Sequence, residues 1–289
     1  MREQIKSIIF QKANFKTGSD ENNYQNRNFT IKFIFMSSEY QSGSLQTTIQ
    51  NAVATVQFCH PASNSFPRQL LDRLTSEINV LSSNETVSLI VLQSEGSKVF
   101  CSGASFDELL AVENEEQGKA FFSGFAHLLN AMRKCSKIIM GRVQGKAVGG
   151  GVGIIAACDY ALATPESAVK LSELAIGIGP FVIEPAVSRK IGKMAMAEMT
   201  LAAHEWKSAE WALQNGLFSA IHEANELDAA VEDFAQKLSS YNPQALFEMK
   251  KIIWEGTENW ETLLVERAAI TGKLVLSDFT RKALTQFKK

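Results

Sequence analysis

The spacing of apolar residues changes along the chain, and each change marks an element. Leu45 to Gln50 and Val53 to Phe58 alternate apolar with polar around Asn51-Ala52, the pattern of two strands joined in a hairpin. His60 to Ser65 reads as a loop. Beyond it Leu70, Leu71, Leu74, Ile78 and Leu81 recur at helical spacing, with Ser65 placed to cap that helix and Pro67 in its first turn. Val87 to Leu92 is apolar at every position but Ser88, the mark of a parallel strand buried on both faces. Val99 to Cys101 is a strand end running through Gly103 into a helix. A longer helix follows, carrying Phe121, Phe122, Phe125, Leu128, Leu129 and Met132 on one face. Ile138 to Gln144 is again strand-like, Ile154 to Asp159 helical in composition, and strands are expected near 160–163 and 169–171. A helix is expected at about 182–191. Gly192 and Gly216 punctuate the helices after it, and from Leu227 onward the pattern is helical with an interruption at Asn242-Pro243. Strands alternating with helices make this an α/β chain with parallel crossover units. No internal repeat of fixed period is visible.

The first 44 residues differ from the rest. Asn14 to Asn28 is rich in Asn, Asp, Glu, Gln and Lys with almost nothing to bury, so residues 1–44 are expected to be a disordered extension, with Met36 as an alternative start. Asp20 and Glu21 argue against a transit peptide. The remaining chain divides into a core at 45–225 and a helical region at 226–289. A formal net charge of −2 supplies no bulk attraction for nucleic acid or an anionic membrane. The cysteines (Cys59, Cys101, Cys135, Cys158) form no C-x-x-C pair and the histidines no ligand spacing, so neither a disulfide framework nor a metal is expected. No apolar run approaches the ~18 residues of a spanning helix. A cytoplasmic protein is expected.

The chemistry centres on Gly145-Lys-Ala-Val-Gly-Gly-Gly-Val-Gly153, set between a strand and a helix. Three glycines there allow close backbone approach and leave N–H groups unpaired at a helix start, where an oxygen carrying or developing negative charge would be stabilised. Two nucleotide motifs fail. Gly141 to Lys146 is one residue short of a phosphate-binding P-loop, and Ile154 occupies the third glycine position of a dinucleotide fingerprint. A glycine-rich packing contact remains the plain alternative.

Phe100-Cys-Ser-Gly-Ala-Ser-Phe-Asp-Glu-Leu109, then Gly145 to Asp159, then Leu171 to Pro180, in that order and spacing, resemble the crotonase (enoyl-CoA hydratase/isomerase) superfamily. Ser208-Ala-Glu-Trp-Ala-Leu-Gln-Asn-Gly-Leu217 extends the resemblance, which covers about residues 46–289. It implies a spiral of ββα turns with a C-terminal helical trimerisation region, assembled as a homotrimer or hexamer. It also implies an acyl-CoA thioester as ligand, with coenzyme A part of the substrate and no separate cofactor. By motif position the backbone N–H groups of Ala104 and Gly150 would form an oxyanion hole and Glu173 would be the acid/base. Ala62, Ser63, Ser102, Ser105, Phe106 and Gly149 match positions that line the CoA groove, although Ser105 replaces a frequent Asp. Lys250, Phe279 and Lys282 are candidates for the nucleotide end.

The resemblance departs from the hydratase pattern at Gly153, where many hydratases carry a second glutamate. That leaves hydration with one glutamate serving both protons, double-bond isomerisation by Glu173 alone, or a catalytically weak acyl-CoA-binding oligomer. Leu171 to Pro180 with Gly151-Val-Gly153 resembles the branch containing methylglutaconyl-CoA hydratase-like bacterial proteins, some of which also have Gly there. Phe181 to Glu184 replaces a glycine-rich stretch, so Phe181 is expected to narrow the acyl pocket. Glu184 is either a replacement carboxylate or a partner of its helix dipole.

Overall fold

The computed structural model describes residues 42–287. The expected extension therefore lies outside the described residues except for its last three positions, where Ser44 already begins the first strand. β1 (Ser44–Gln50) and β2 (Val53–Cys59) form the expected antiparallel hairpin, Thr47 opposite Val56. Its two-residue turn puts both Asn51 (φ 50°) and Ala52 (φ 63°) in the left-handed region, which matches the twist of the paired strands.

From here the chain winds as a spiral. β3 (Leu89–Ser94), β5 (Ile138–Val143) and β7 (Tyr160–Ala163) add in parallel to β2, and β10 (Ala220–Ile221) completes a six-stranded sheet. Each of the three is followed by a short strand of a second sheet: β4 (Val99–Cys101), β6 (Lys146–Val148) and β8 (Ala168–Lys170), with antiparallel β9 (Lys207–Ser208) at its edge. Helices close the turns: α1 (Arg68–Ser83), then α2 (Phe106–Leu110) with α3 (Glu115–Lys134), then α4 (Gly150–Ala157), then α5 (Glu184–Leu201). This is the ββα spiral of the crotonase fold. After it come α6 (Ala209–Gln214), α7 (Leu227–Ser239), α8 (Pro243–Ile253), α9 (Trp260–Leu274) and α10 (Asp278–Phe287).

The unbroken apolar run in β3 has its expected cause, because both faces of the large sheet are covered. Ile90 and Leu92 belong to the main core with Leu70, Leu74 and Leu129, whereas Leu89 and Val91 join Ile138, Met140 and Leu162 beneath Leu227 and Val231 of α7. The strand runs two residues later than expected, since Val87 N–H is engaged in a turn with Asn84 O. α4 starts at the glycine triplet itself, earlier than composition suggests. α5 continues past 191 with a break at Gly192, whose φ of 80° is non-helical.

Ser65 does not cap α1. Its hydroxyl bonds His60 Nδ1 at 3.0 Å, and the helix's Arg68 N–H instead donates to Glu108 Oε2 at 2.8 Å. A carboxylate from α2 thus fills the cap. The C-terminal helices are tied to the spiral along α9, which packs lengthwise on α3. Gly118 and Gly272 meet there so closely that a Cβ on Gly118 would lie 2.6 Å from Gly272 O. No helix among the described residues is long and apolar enough to cross a membrane.

Candidate active site

The C-terminal ends of β4, β6 and β8 open side by side onto one cavity of ≈340 Å³, as parallel strands do at ligand sites. After β4 the chain turns at Gly103 (φ 89°), where a Cβ would meet Val148 O at 3.0 Å. Phe66 then pairs with the next residue: Phe66 N–H donates to Gly103 O (2.8 Å) and Ser105 N–H donates to Phe66 O (2.9 Å). In a parallel bridge of this kind the intervening residue, Ala104, turns its own N–H away from Phe66. Ala104 lines the cavity.

After β6 the chain turns at Gly149 (φ 53°, ψ −117°), whose N–H donates to Lys170 O at 2.9 Å. Only glycine fits here, for a Cβ would also lie 2.7 Å from Glu173 Oε1. Gly150 follows as the first residue of α4, so its N–H is one of the helix's orphan donors. Its own missing side chain makes room for the ring of Phe125. The close approach promised by three glycines is therefore real, and it brings the turn after β4 against the turn after β6.

Glu173 lies in the loop after β8, at the start of a 3₁₀ turn over Leu174–Ile176. Its backbone carbonyl accepts N–H from Ile176 (3.2 Å) and Ile178 (3.1 Å), which fixes the loop. The residue is half-buried, but its Oε2 is sealed from solvent without a hydrogen-bond partner. Burial without a compensating partner pushes its carboxyl up to about 7, against a weaker lowering by its own backbone hydrogen bond. Around it the walls are apolar: Leu109, Phe122, Phe125, Val182 and Ile183. The cavity thus joins two backbone turns at helix or strand ends with one carboxyl group near neutrality, a combination that can polarise a carbonyl and move a proton beside it.

The structure brings together Ser102, Ala104, Phe106, Gly149, Gly150 and Glu173 as lining residues. Ala62 and Ser63 sit just outside, on an exposed loop strapped to the site: Ser102 N–H donates to Ser63 O and Ser102 Oγ to Ala62 O, both at 3.2 Å. Ser105 is withdrawn, because its hydroxyl caps α2 by accepting Glu108 N–H. Gly153 does not open the pocket. A Cβ there would lie 2.5 Å from Ile183 Cγ2, so the space vacated by a larger side chain is filled from α5's approach. Phe181 is absent from the lining, its ring resting over Gly179, and Val182 and Ile183 narrow the cavity in its place. Glu184 is committed elsewhere, paired with Arg267 and accepting Ser188 Oγ at 2.5 Å, so it is not a second carboxyl of the cavity. Lys250 is likewise not a nucleotide contact. It is 2% exposed and pairs with Asp159 at 2.9 Å beneath α8. Phe279 packs over Gly177, next to the 3₁₀ turn, and Lys282 is exposed on α10.

Sequence reasoning missed Lys170, His204 and Trp206, which line the cavity from the β8–β9 side. Lys170 ends β8, a strand expected without its last side chain being given a role, and His204 and Trp206 precede the two-residue β9, too small to stand out in the pattern.

The chain matches the sequence profile of the enoyl-CoA hydratase/isomerase family over residues 48–288 and belongs to that family. It is 26% identical over 228 residues to a short-chain-enoyl-CoA hydratase of Clostridium acetobutylicum, covering 78% of this chain and 87% of that one. With the mitochondrial methylglutaconyl-CoA hydratase of Rattus norvegicus it shares 29% over 200 residues, 68% of this chain and 63% of the relative. A crystal structure of an enoyl-CoA hydratase from Mycobacterium avium superposes with a TM-score of 0.76 at 25% identity, covering 84% of this chain and 95% of the other. An enzyme of this family is the class that fold and sequence define.

Proposed function

We infer that this enzyme adds water across the double bond of a 2-enoyl-CoA thioester, using Glu173 for both proton transfers. The observation that carries this is the sealed, unpaired Glu173 Oε2 in the same cavity as the free-turning N–H groups of Ala104 and Gly150. The ionised carboxyl takes a proton from water as the water oxygen bonds to C3. The C2–C3 π pair moves toward the thioester, and its oxygen gains charge against the two backbone donors, each worth about 3 kcal/mol in such sites. The proton on Glu173 then passes to C2, the carbonyl reforms, and H and OH have been added on one face. A carboxyl poised near 7 is suited to both steps, since it is neither too weak a base nor too weak an acid at neutral pH. Coenzyme A would leave the cavity over Ser102 toward the loop at Ala62 and Ser63. A homotrimer or hexamer and a cytoplasmic location complete the reading.

One observation favours a second chemistry. With Gly153 filled by Ile183 and Glu184 bound to Arg267, Glu173 is the sole carboxyl among the lining residues. One base is enough to carry a proton between C4 and C2, which is double-bond isomerisation. Turnover in ¹⁸O water separates the two. Heavy oxygen in the product with a mass gain of one water is expected, and Glu173→Gln should abolish it while thioester binding persists. A moved double bond without added oxygen would make the enzyme an isomerase.

A further inference from the structure

The strand that delivers Ala104 to the cavity is held by little of its own sheet. β4 is three residues long and stands at the edge of the small sheet, paired with β6 on one side. Its other side faces residues 60–66, which are not a strand but cover the edge from end to end. Where β4 leaves, Ser102 N–H donates to Ser63 O and Ser102 Oγ to Ala62 O, and the bonds of Phe66 with Gly103 and Ser105 straddle Ala104. Where β4 enters, the contact is one side chain. Asn64 Nδ2 donates to Glu95 O at 2.8 Å, in the turn before the strand, and to Val99 O at 2.9 Å, its first residue. Ser94 Oγ and Gln144 Nε2 also reach Val99 O, but only at 3.4 Å.

Asn64 holds its own loop as well. Its Oδ1 accepts His60 N–H at 3.0 Å, and its N–H donates to His60 O at 2.9 Å. The residue is 6% exposed, so both donor hydrogens and the acceptor of its carboxamide are committed to buried backbone partners. The loop requires this. Ser63 and Asn64 are both left-handed, each with φ 55°. Asparagine adopts that conformation more readily than serine, and strain of this kind persists only where the surroundings hold it. With the loop so bent, the carbonyls of Ala62 and Ser63 meet Ser102, and Phe66 arrives beside Ala104.

We propose that Asn64 is the positioning residue of the oxyanion hole: by fixing residues 60–66 against the entry of β4, its carboxamide sets where Ala104 N–H points in the cavity. Asn64 itself does not line the cavity, so it acts only through this contact. The proposal rests on the reading of Ala104 as a donor to the thioester oxygen.

The test reads the polarisation of a bound carbonyl, which needs no turnover. Butanoyl-CoA is saturated and inert to hydration; labelled with ¹³C at the thioester carbonyl, its infrared stretch is measured free and bound to the full chain. In the wild type the stretch should fall on binding. Asn64→Gly leaves the left-handed backbone unstrained and removes the carboxamide. It should abolish at least about half of that shift. Losing an oxyanion donor outright costs about 10²–10³ in kcat, so a misdirected one should lower kcat on 2-butenoyl-CoA about tenfold, with KM changed less than about threefold. Asn64→Asp keeps the shape and the acceptor for His60 N–H but lacks both donors, and should behave alike, which covers the case of a glycine variant that does not fold. A folded variant with a lower Tm but the wild-type shift and kcat has lost stability alone, and that overturns the proposal. No shift in the wild type would sink the oxyanion reading itself, and the proposal with it.

Discussion

Glu173 is the residue at which structure and chemistry pull in opposite directions. In the unfolded chain its carboxyl titrates near 4.5, and in the folded protein near 7. Between those values the unfolded state releases its proton while the folded state keeps it, so folding stability falls as pH rises through this window and levels off above it. The gap corresponds to about 3 kcal/mol. Glu173→Gln removes the penalty, so its unfolding free energy relative to wild type should rise by about that amount from pH 4.5 to 7.5. Denaturant unfolding at several pH values checks this, and a constant difference would mean that the carboxyl is solvated. The same substitution that stops turnover should thus make the protein harder to unfold. The direction of this shift was legible in part, since Glu173 stands beside the apolar Leu171 and Leu174. The family register pointed to Glu173, but its isolation comes from apolar walls contributed by α2, α3 and the segment before α5, which only the fold assembles. Gly153 shows the converse: the sequence announced a missing carboxylate, and only packing shows that Ile183 took its room.

At the scale of elements, the long ones could be read, and of the short ones β4, β7 and β8 stand where strands were expected, whereas β6, β9 and β10 were not anticipated. The hairpin, α1, α3 and β3 carry their own period, because each buries a stripe or a whole strand. The strands of the small sheet are two or three residues long, too brief for periodicity, yet their ends build the cavity. The spiral repeat was hidden for a related reason. β3, β5 and β7 begin at 89, 138 and 160, so successive turns differ in length and no fixed period exists to detect. Lys250 was misjudged because a lysine on an amphipathic helix ordinarily faces water. Here its ammonium bonds Asp159 Oδ2 and Lys137 O, while Trp254 Nε1–H and Ile139 N–H satisfy the remaining capacity of Asp159. The pair pins α8 to the junction of α4 and β7. Lys250→Met removes the direct ion-pair partner of the buried Asp159 while Arg189 and Lys190 stay close to it, so it should cost on the order of 3 kcal/mol, the low end for a broken buried pair, by denaturant unfolding. A loss under 1 kcal/mol would show that water reaches the carboxylate.

For the molecule as a whole, the decisive contact is between α3 and α9. Gly118 and Gly272 allow two backbones to touch, and a Cβ at Gly272 would collide with the Lys119 backbone. Thr271, the neighbour of that contact, lines the cavity, and Phe125 of α3 fills the space over Gly150. Gly272→Val should therefore force the helices apart, lowering stability by about 1–3 kcal/mol and raising KM for any thioester by more than kcat falls. Unchanged KM in a folded variant would uncouple this contact from the site. The resemblance to a known family made the spiral legible from motif order. It could not reveal that the C-terminal helices supply part of the wall, since nothing in their periodicity names the face they cover.

That glycine contact also bears on how the protein is made. α3 spans residues 115–134 and α9 spans 260–274, so more than a hundred residues leave the ribosome between one half of the contact and the other. At about 5–20 residues per second, α3 waits for seconds with its helix-packing face uncovered. During that interval the apolar flank around Gly118 has no mate within the nascent chain. Synthesis thus has a built-in window of vulnerability, in which this surface is open to capture by a chaperone or by another unfinished copy, and which closes only as α9 docks.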